Sequence, residues 1–253
     1  IRNYTSLFAW VSGRPDHAAT PARGAIELAD TLGHQASQSN VLALSCCPVA
    51  YLNGHQADLA RYTEKLGSIL QEETIGIWLP LQRYYAALSA DLGGDPTAVA
   101  RIREAIDELI DTRFVMRVPA MIGVLAERHL HHGRVGEASD AIAMALRYEA
   151  GQDERWCRSE LMRIEALIQL HAGRPGRAER LLIDAIDDAR AINALSFELR
   201  AATDLAAHYL ETRKPEEAFA LLSPIHRRFN EGFATRDLMM ASQLLRRVNA
   251  PAH

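Results

Sequence analysis

Residues 161–186 read LMRIEALIQLHAGRPGRAERLLIDAI, and this stretch decides the fold. Leu161, Ile164, Leu167, Ile168 and Leu170 recur at helical spacing, so one face of the segment is apolar. Gly173 ends that helix, because glycine takes a positive φ at no steric cost. Pro175 opens the next one at a position where the missing N–H is harmless. Ala178, Leu181, Leu182, Ala185 and Ile186 then resume the buried stripe. The segment therefore reads as two helices joined by a tight turn. Its small residues let two backbones approach, and its Leu and Ile residues fill the grooves beside them.

The same punctuation recurs along the chain. Small residues stand every 40 positions at Ser6, Cys46, Ala86, Ala126, Ala166 and Ala206. A second column holds Ala18, Ala98, Ala138, Ala178 and Ala218, interrupted only in the second unit, where Asp58 is in register beside Leu59. A third holds Ala25, Ala105, Ala145, Ala185 and then Ile225. Turn signals fall between the first two columns at Gly13-Arg14-Pro15, Asn53-Gly54, Gly93-Gly94-Asp95-Pro96, Gly133-Arg134-Val135, Gly173-Arg174-Pro175 and Arg213-Lys214-Pro215. This predicts helix pairs at about 1–12/15–33, 37–52/55–72, 77–92/96–111, 115–132/135–149, 155–172/175–191 and 195–211/215–229. A last helix near 234–248 would cap the array, with Arg236, Gln243, Arg246 and Arg247 on its exposed side.

Gly, then Ala five positions on, then Ala seven further, resembles the tetratricopeptide repeat, whose period is about 34 residues. The period here is 40, which adds about three residues, or roughly 4.5 Å, to each helix. The expected fold is all-α: a right-handed superhelical solenoid of six antiparallel helix pairs in a single domain over 1–253. Its units would be 1–34, 35–74, 75–113, 114–151, 152–192 and 193–231, with a cap at 232–253. A generic helical bundle is the competing reading, but a bundle does not require a constant register.

Composition narrows the class. Hydrophobic residues make up 48% and charged residues 24%, as in globular domains. No run of about 18 apolar residues exists, so no membrane span is expected. A net charge of −4 argues against direct nucleic-acid contact. Only Lys65 and Lys214 are lysines, which reads as genome composition. Three cysteines, two of them adjacent, make no disulfide framework, and reduced thiols suit a cytoplasmic setting. The chain starts at Ile1 without a signal pattern, so a piece of a longer polypeptide is expected. Its short first helix would leave an apolar face bare, and that face could drive an artefactual dimer.

Three runs carry a resemblance: Glu154-Arg155-Trp156 with Ser159-Glu160-Leu161 and Arg163; Phe197-Glu198-Leu199-Arg200-Ala201-Ala202-Thr203; and Glu231-Gly232-Phe233-Ala234-Thr235-Arg236-Asp237-Leu238, followed by Ala241 and Leu244-Leu245. They are similar to the carboxy-terminal repeats of large bacterial signalling ATPases. Ala234 and Cys157 depart from that pattern, where Asp and Tyr are frequent. Over 1–149 the resemblance rests on register alone. It implies a regulatory domain whose partners are its own upstream ATPase and an output domain, either a winged helix or a class III adenylate cyclase. No G-x-x-x-x-G-K-[ST] occurs in the chain, so phosphate-cradling chemistry cannot be assigned to these residues.

Candidate chemistry is sparse. His129-Leu130-His131-His132 has an i, i+3 pair but no evident Cys or carboxylate to complete a metal site, and histidines before Gly133 complement a helix end. Cys46-Cys47 fits core packing, since Cys46 occupies the small column, and Cys157 shares that default. Asp187-Asp188, Glu216-Glu217 and Glu72-Glu73 fit a polar face or helix starts. No nucleophile motif appears, so no catalytic residue, cofactor or metal is expected.

The informative surface is the concave one. Positions three before the first small column are Asn3, Ala43, Arg83, Gly123, Arg163 and Thr203; six before it are Asn40, Pro80, Ala120, Glu160 and Arg200. Arg83, Arg163 and Arg200 form a candidate donor set for a carboxylate or phosphate, with Thr203, Glu160 and Asn40 beside them. Trp78, Trp156, Tyr84 and Tyr85 would supply apolar walls. The alternative is that each arginine pairs with a neighbour such as Glu160 and that the tryptophans fill between repeats. The expected function is a non-catalytic sensor and interaction domain of a bacterial cytoplasmic signalling or transcriptional regulator, taking a small effector or a protein in the groove. A passive scaffold without sensing is the second reading, and homo-oligomerisation is left open.

Overall fold

A computed structural model describes residues 2–72, 78–113, 116–152 and 155–249. Among these the regular structure is entirely helical. The chain runs α1 (Arg2–Val11), α2 (Pro15–Leu32), α3 (Gln35–Val41), α4 (Cys47–Asn53), α5 (Gln56–Glu72), α6 (Leu79–Leu92), α7 (Ala98–Asp111), α8 (Val118–His131), α9 (Val135–Gln152), α10 (Arg158–His171), α11 (Pro175–Ala191), α12 (Leu195–Glu211), α13 (Pro215–His226) and α14 (Arg236–Asn249). A π-helical segment at Leu42–Cys46 joins α3 to α4, and a 3-10 turn at Arg155–Cys157 leads into α10. The expected start of a helix at 77, and Glu73 and Glu154, lie outside the described residues.

Consecutive helices pack as hairpins: α1 on α2, α6 on α7, α8 on α9, α10 on α11 and α12 on α13. The turn residues that join them take positive φ at Gly13, Gly54, Gly94, Gly133, Gly173 and Arg213. Between hairpins, α5 meets α6, α7 meets α8, α9 meets α10 and α11 meets α12. The small columns lie where backbones touch. Cys46, Ala126, Ala166 and Ala206 are buried to 1% or less, as are Ala98, Ala138, Ala178 and Ala218, while Leu59 takes the core place that Asp58 would have held. Cys46, Cys47 and Cys157 are all buried, and none is in a disulfide.

The two ends of the chain meet. α1 packs on α12, where Trp10 and Phe197 sit edge to face at 5.6 Å in a cluster with Leu7, Val11, Ala18 and Ala194. Ser196 Oγ donates to the Trp10 carbonyl at 2.5 Å. At the start of α2, where Arg14 supplies no side-chain cap, Glu231 Oε1 accepts from the backbone N–H groups of Asp16 and His17 at 3.0 Å each. A carboxylate there satisfies two orphan donors and faces the positive helix end. Gly232 N returns a bond to Asp16 Oδ2 at 2.9 Å. The face of α1 expected to be bare is therefore largely covered, by α12 and by the Glu231–Gly232 turn. Phe8, on the opposite side of α1, remains 58% exposed.

Candidate functional site

The hairpin geometry aims the first helix of several pairs at one interior cleft of about 430 Å³, lined from α8, α10, α12 and α14. Its floor is an ion network. Every guanidinium nitrogen of Arg163 donates: Nε to Glu160 Oε2 at 2.9 Å, Nη1 to Asp204 Oδ2 at 2.7 Å, and Nη2 to Glu127 Oε1 at 2.6 Å. Arg200 is used as fully, with Nε to Asp237 Oδ2 at 2.6 Å, Nη1 to Glu160 Oε1 at 3.0 Å and Nη2 to the Leu52 carbonyl at 3.4 Å. Its guanidinium also stacks over Trp10, which ties the cleft to the junction of the chain ends. Arg236 Nε reaches Asp237 Oδ1 at 3.4 Å, and the Tyr51 hydroxyl donates to Glu127 Oε2 at 3.4 Å.

Three guanidinium groups thus face four carboxylates. Burial acts against every charge here, and the geometry decides which groups overcome it. At Glu127, burial is outweighed by Arg163 and Arg200, and the carboxyl is held down at about 2. At Asp204, burial exceeds the pull of Arg163, so its pKa is raised. Desolvation opposes the charge on Arg163, but Glu160, Asp204 and Glu127 hold it well above its ordinary value.

The sequence-selected residues divide between places. Arg163, Arg200, Thr203 and Glu160 come together in the cleft or its floor. Arg83 does not join them: it is exposed on α6 and gives Nη1 to both oxygens of Glu108 at 2.7 and 2.8 Å. Asn40 lies half-buried on α3, away from the cleft lining. Trp78 is buried in the core ahead of α6. Trp156 packs at 6.2 Å from Phe197 and, with Tyr84 and Tyr85, lines a separate apolar cavity. Gly123, expected to face the groove, instead meets α10, where a Cβ would lie 2.6 Å from Leu161. Arg236, expected on the outer side of the cap, turns into the cleft.

The carboxylates Glu127, Asp204 and Asp237 were missed. A usable signal existed: four of the network bonds join residues 36, 37, 40 and 41 apart, which is the spacing of the small-residue columns give or take a helical turn. Beside the histidine run, Asp91 of α6 pairs with Arg128 and lies 2.7 Å from His132 Nε2. Among the described residues no group of three His, Cys, Asp or Glu is placed to hold a metal ion. None of the described helices is long and apolar enough to cross a membrane.

No protein-family model matches the chain, and no curated protein matches it. The residues that carry the resemblance nevertheless have clear physical duties. Glu160, Arg163, Arg200 and Asp237 build the network, while Phe197, Glu231 and Gly232 join the chain ends.

Proposed function

We propose that the chain is a tetratricopeptide-like solenoid serving as the sensor and interaction arm of a bacterial cytoplasmic signalling regulator. The repeat reading is supported by the positive-φ turns at about 40-residue spacing and by the buried alanine columns. The sensing reading is carried by one observation: side chains from three helix pairs and from the last helix converge on a single cleft. A ligand there would touch α8, α10, α12 and α14 at once, and would favour whichever curvature fits it.

The cleft argues for a polar ligand and against a simple anion. Every guanidinium nitrogen of Arg163 and Arg200 is already engaged, by carboxylates and by the Leu52 carbonyl, so an added anion would have to displace one of these acceptors. An uncharged or zwitterionic polar molecule can instead bond to Thr203, His131 and His171 on the walls. Thermal-shift titration with polyols, amino acids and dicarboxylates tests this. Stabilisation by a polyol or amino acid that is lost in Thr203→Val supports the reading. Stabilisation by dicarboxylates alone, or by none of the three classes, overturns the polar-ligand cleft.

A passive scaffold is favoured by a different observation. Phe233, Met239 and Met240 are about half exposed on and beside α14. Sedimentation at micromolar concentration, with Phe233→Glu and Met239→Glu as controls, separates the two readings.

A further inference from the structure

The end of α4 leaves one buried atom unanswered. Asn53 is 1% exposed, and its Nδ2 donates to the Pro15 carbonyl at 3.4 Å. That bond fixes the orientation of the amide, since only its NH₂ can face a carbonyl. Asn53 Oδ1 is buried and takes no donor among the described residues. A buried acceptor left in this way costs free energy that apolar neighbours cannot return.

Asn53 lines a cavity of about 270 Å³ between α2, α4 and α5. An apolar cavity that takes benzene is about 150 Å³, so a molecule of that size fits with room to spare. Ala19, Ala22, Val49 and Ala50 give the cavity an aliphatic wall. Two charged groups on its α2 side are not fully used. Asp16 Oδ2 accepts from Gly232 N, but Oδ1 takes no donor among the described residues. Arg23 is exposed and makes no ion pair among the described residues. The other carboxylate is engaged: Asp58 holds Arg61 at 2.7 Å, with His55 at 3.9 Å. A neighbouring cavity of about 250 Å³ also reaches Asn53, but its Arg236 already meets Asp237 and its Tyr51 hydroxyl already meets Glu127.

Three open groups therefore select the ligand. Asn53 Oδ1 and Asp16 Oδ1 call for a donor, best a cationic one. Arg23 calls for an anion, and a carboxylate matches its planar fork. An amine alone would leave Arg23 unmatched, and a carboxylate alone would leave both oxygens unmet. We propose that this cavity binds an α-amino acid with a short aliphatic side chain. Its ammonium donates to Asn53 and Asp16, its carboxylate meets Arg23, and its side chain lies against Ala22 and Val49. The site shares no lining residue with the polar cleft and does not depend on the reading given for it.

Calorimetry on the full chain with L-valine, isobutylamine and isovalerate tests the proposal, because each of the last two is valine without one of its charged groups. Saturable L-valine binding is expected, roughly 10-fold tighter than either fragment, as one charge-assisted hydrogen bond provides. Arg23→Gln alters an exposed, unpaired side chain, so it should keep the fold and bring valine down to the affinity of isobutylamine. Asn53→Leu should weaken valine by roughly 10-fold. Ala19→Phe, which fills the cavity from a partly exposed position on α2, should abolish binding. Thr203→Val, in the polar cleft, should leave it unchanged. No saturable valine binding, an affinity matched by either fragment, or valine binding that survives Arg23→Gln and Ala19→Phe would each overturn the proposal. Binding lost in Thr203→Val but kept in Arg23→Gln would place the amino acid in the polar cleft and overturn it as well.

Discussion

Glu231 Oε2 lies 2.7 Å from His17 Nδ1, while its other oxygen caps the backbone of the helix that His17 helps to start. One side chain thus does for α2 what a local capping residue does elsewhere, from 214 residues away.

Removing that cap should be measurable. Glu231→Ala leaves the Asp16 and His17 N–H groups without their acceptor and should cost about 1–2 kcal/mol in urea unfolding. Burial opposes the Glu231 charge, but the His17 and Asp16 donors outweigh it and lower the pKa. A lowered pKa means the stabilisation is present above the usual carboxylate range and is lost as pH falls through it. The variant should therefore lose part of the acid sensitivity of the parent.

Gly232 is a sharper test of the same junction. Its φ is +77°, and a Cβ there would lie 2.0 Å from the Pro15 ring, which cannot swing aside. Gly232→Ala should destabilise by more than about 1 kcal/mol. Gly173→Ala, where the backbone is equally left-handed but the space is open, should cost only the conformational share. Equal losses at the two positions would mean that the contact with Pro15 is not made in solution.

The ion network should respond unevenly. Glu127 is held at about 2 against an ordinary value near 4.5, so its contribution is full above about pH 4.5 and fades as pH falls toward 2. Asp204 is raised, so its contribution has the opposite sign: it is largest when the carboxyl is protonated and declines as pH rises through its folded pKa. At pH 7, Glu127→Gln should cost roughly 2–3 kcal/mol. Asp204→Asn, which keeps an acceptor for Arg163, should cost clearly less. Denaturant midpoints between pH 3 and 8 distinguish the two.

The thiols should be silent. Burial pushes Cys46 up to about 12 and raises Cys47 further. Neither, nor the buried Cys157, should react with a disulfide reagent at pH 8 until the chain unfolds, and then all three should be titrated together.

Much of the helical plan was legible because each hairpin is set locally. Gly133 and Gly173 turn the chain, Pro175 starts a helix, and Ala178 must be small where backbones touch. The first and last helices fell within two residues of the expected bounds. The cleft was half legible. Arg163, Arg200 and Glu160 were found by register, but a register fixes facing and not pairing, so Asp204 and Asp237 stayed hidden. The meeting of Trp10 with Phe197 was not legible at all. It pairs two residues at opposite ends of the chain, and no local pattern in either segment encodes so distant a contact.

That junction also bears on how the protein is made. An array of hairpins can fold as it leaves the ribosome, each unit settling on the one before. Here the Trp10 carbonyl waits for Ser196, 186 residues later, and Asp16 waits for Gly232, 216 residues later. Within this chain, α1 and the start of α2 are thus among the last elements to be finished. Until translation passes Gly232, Trp10 and the start of α2 stand open to chaperones, proteases and neighbouring nascent chains.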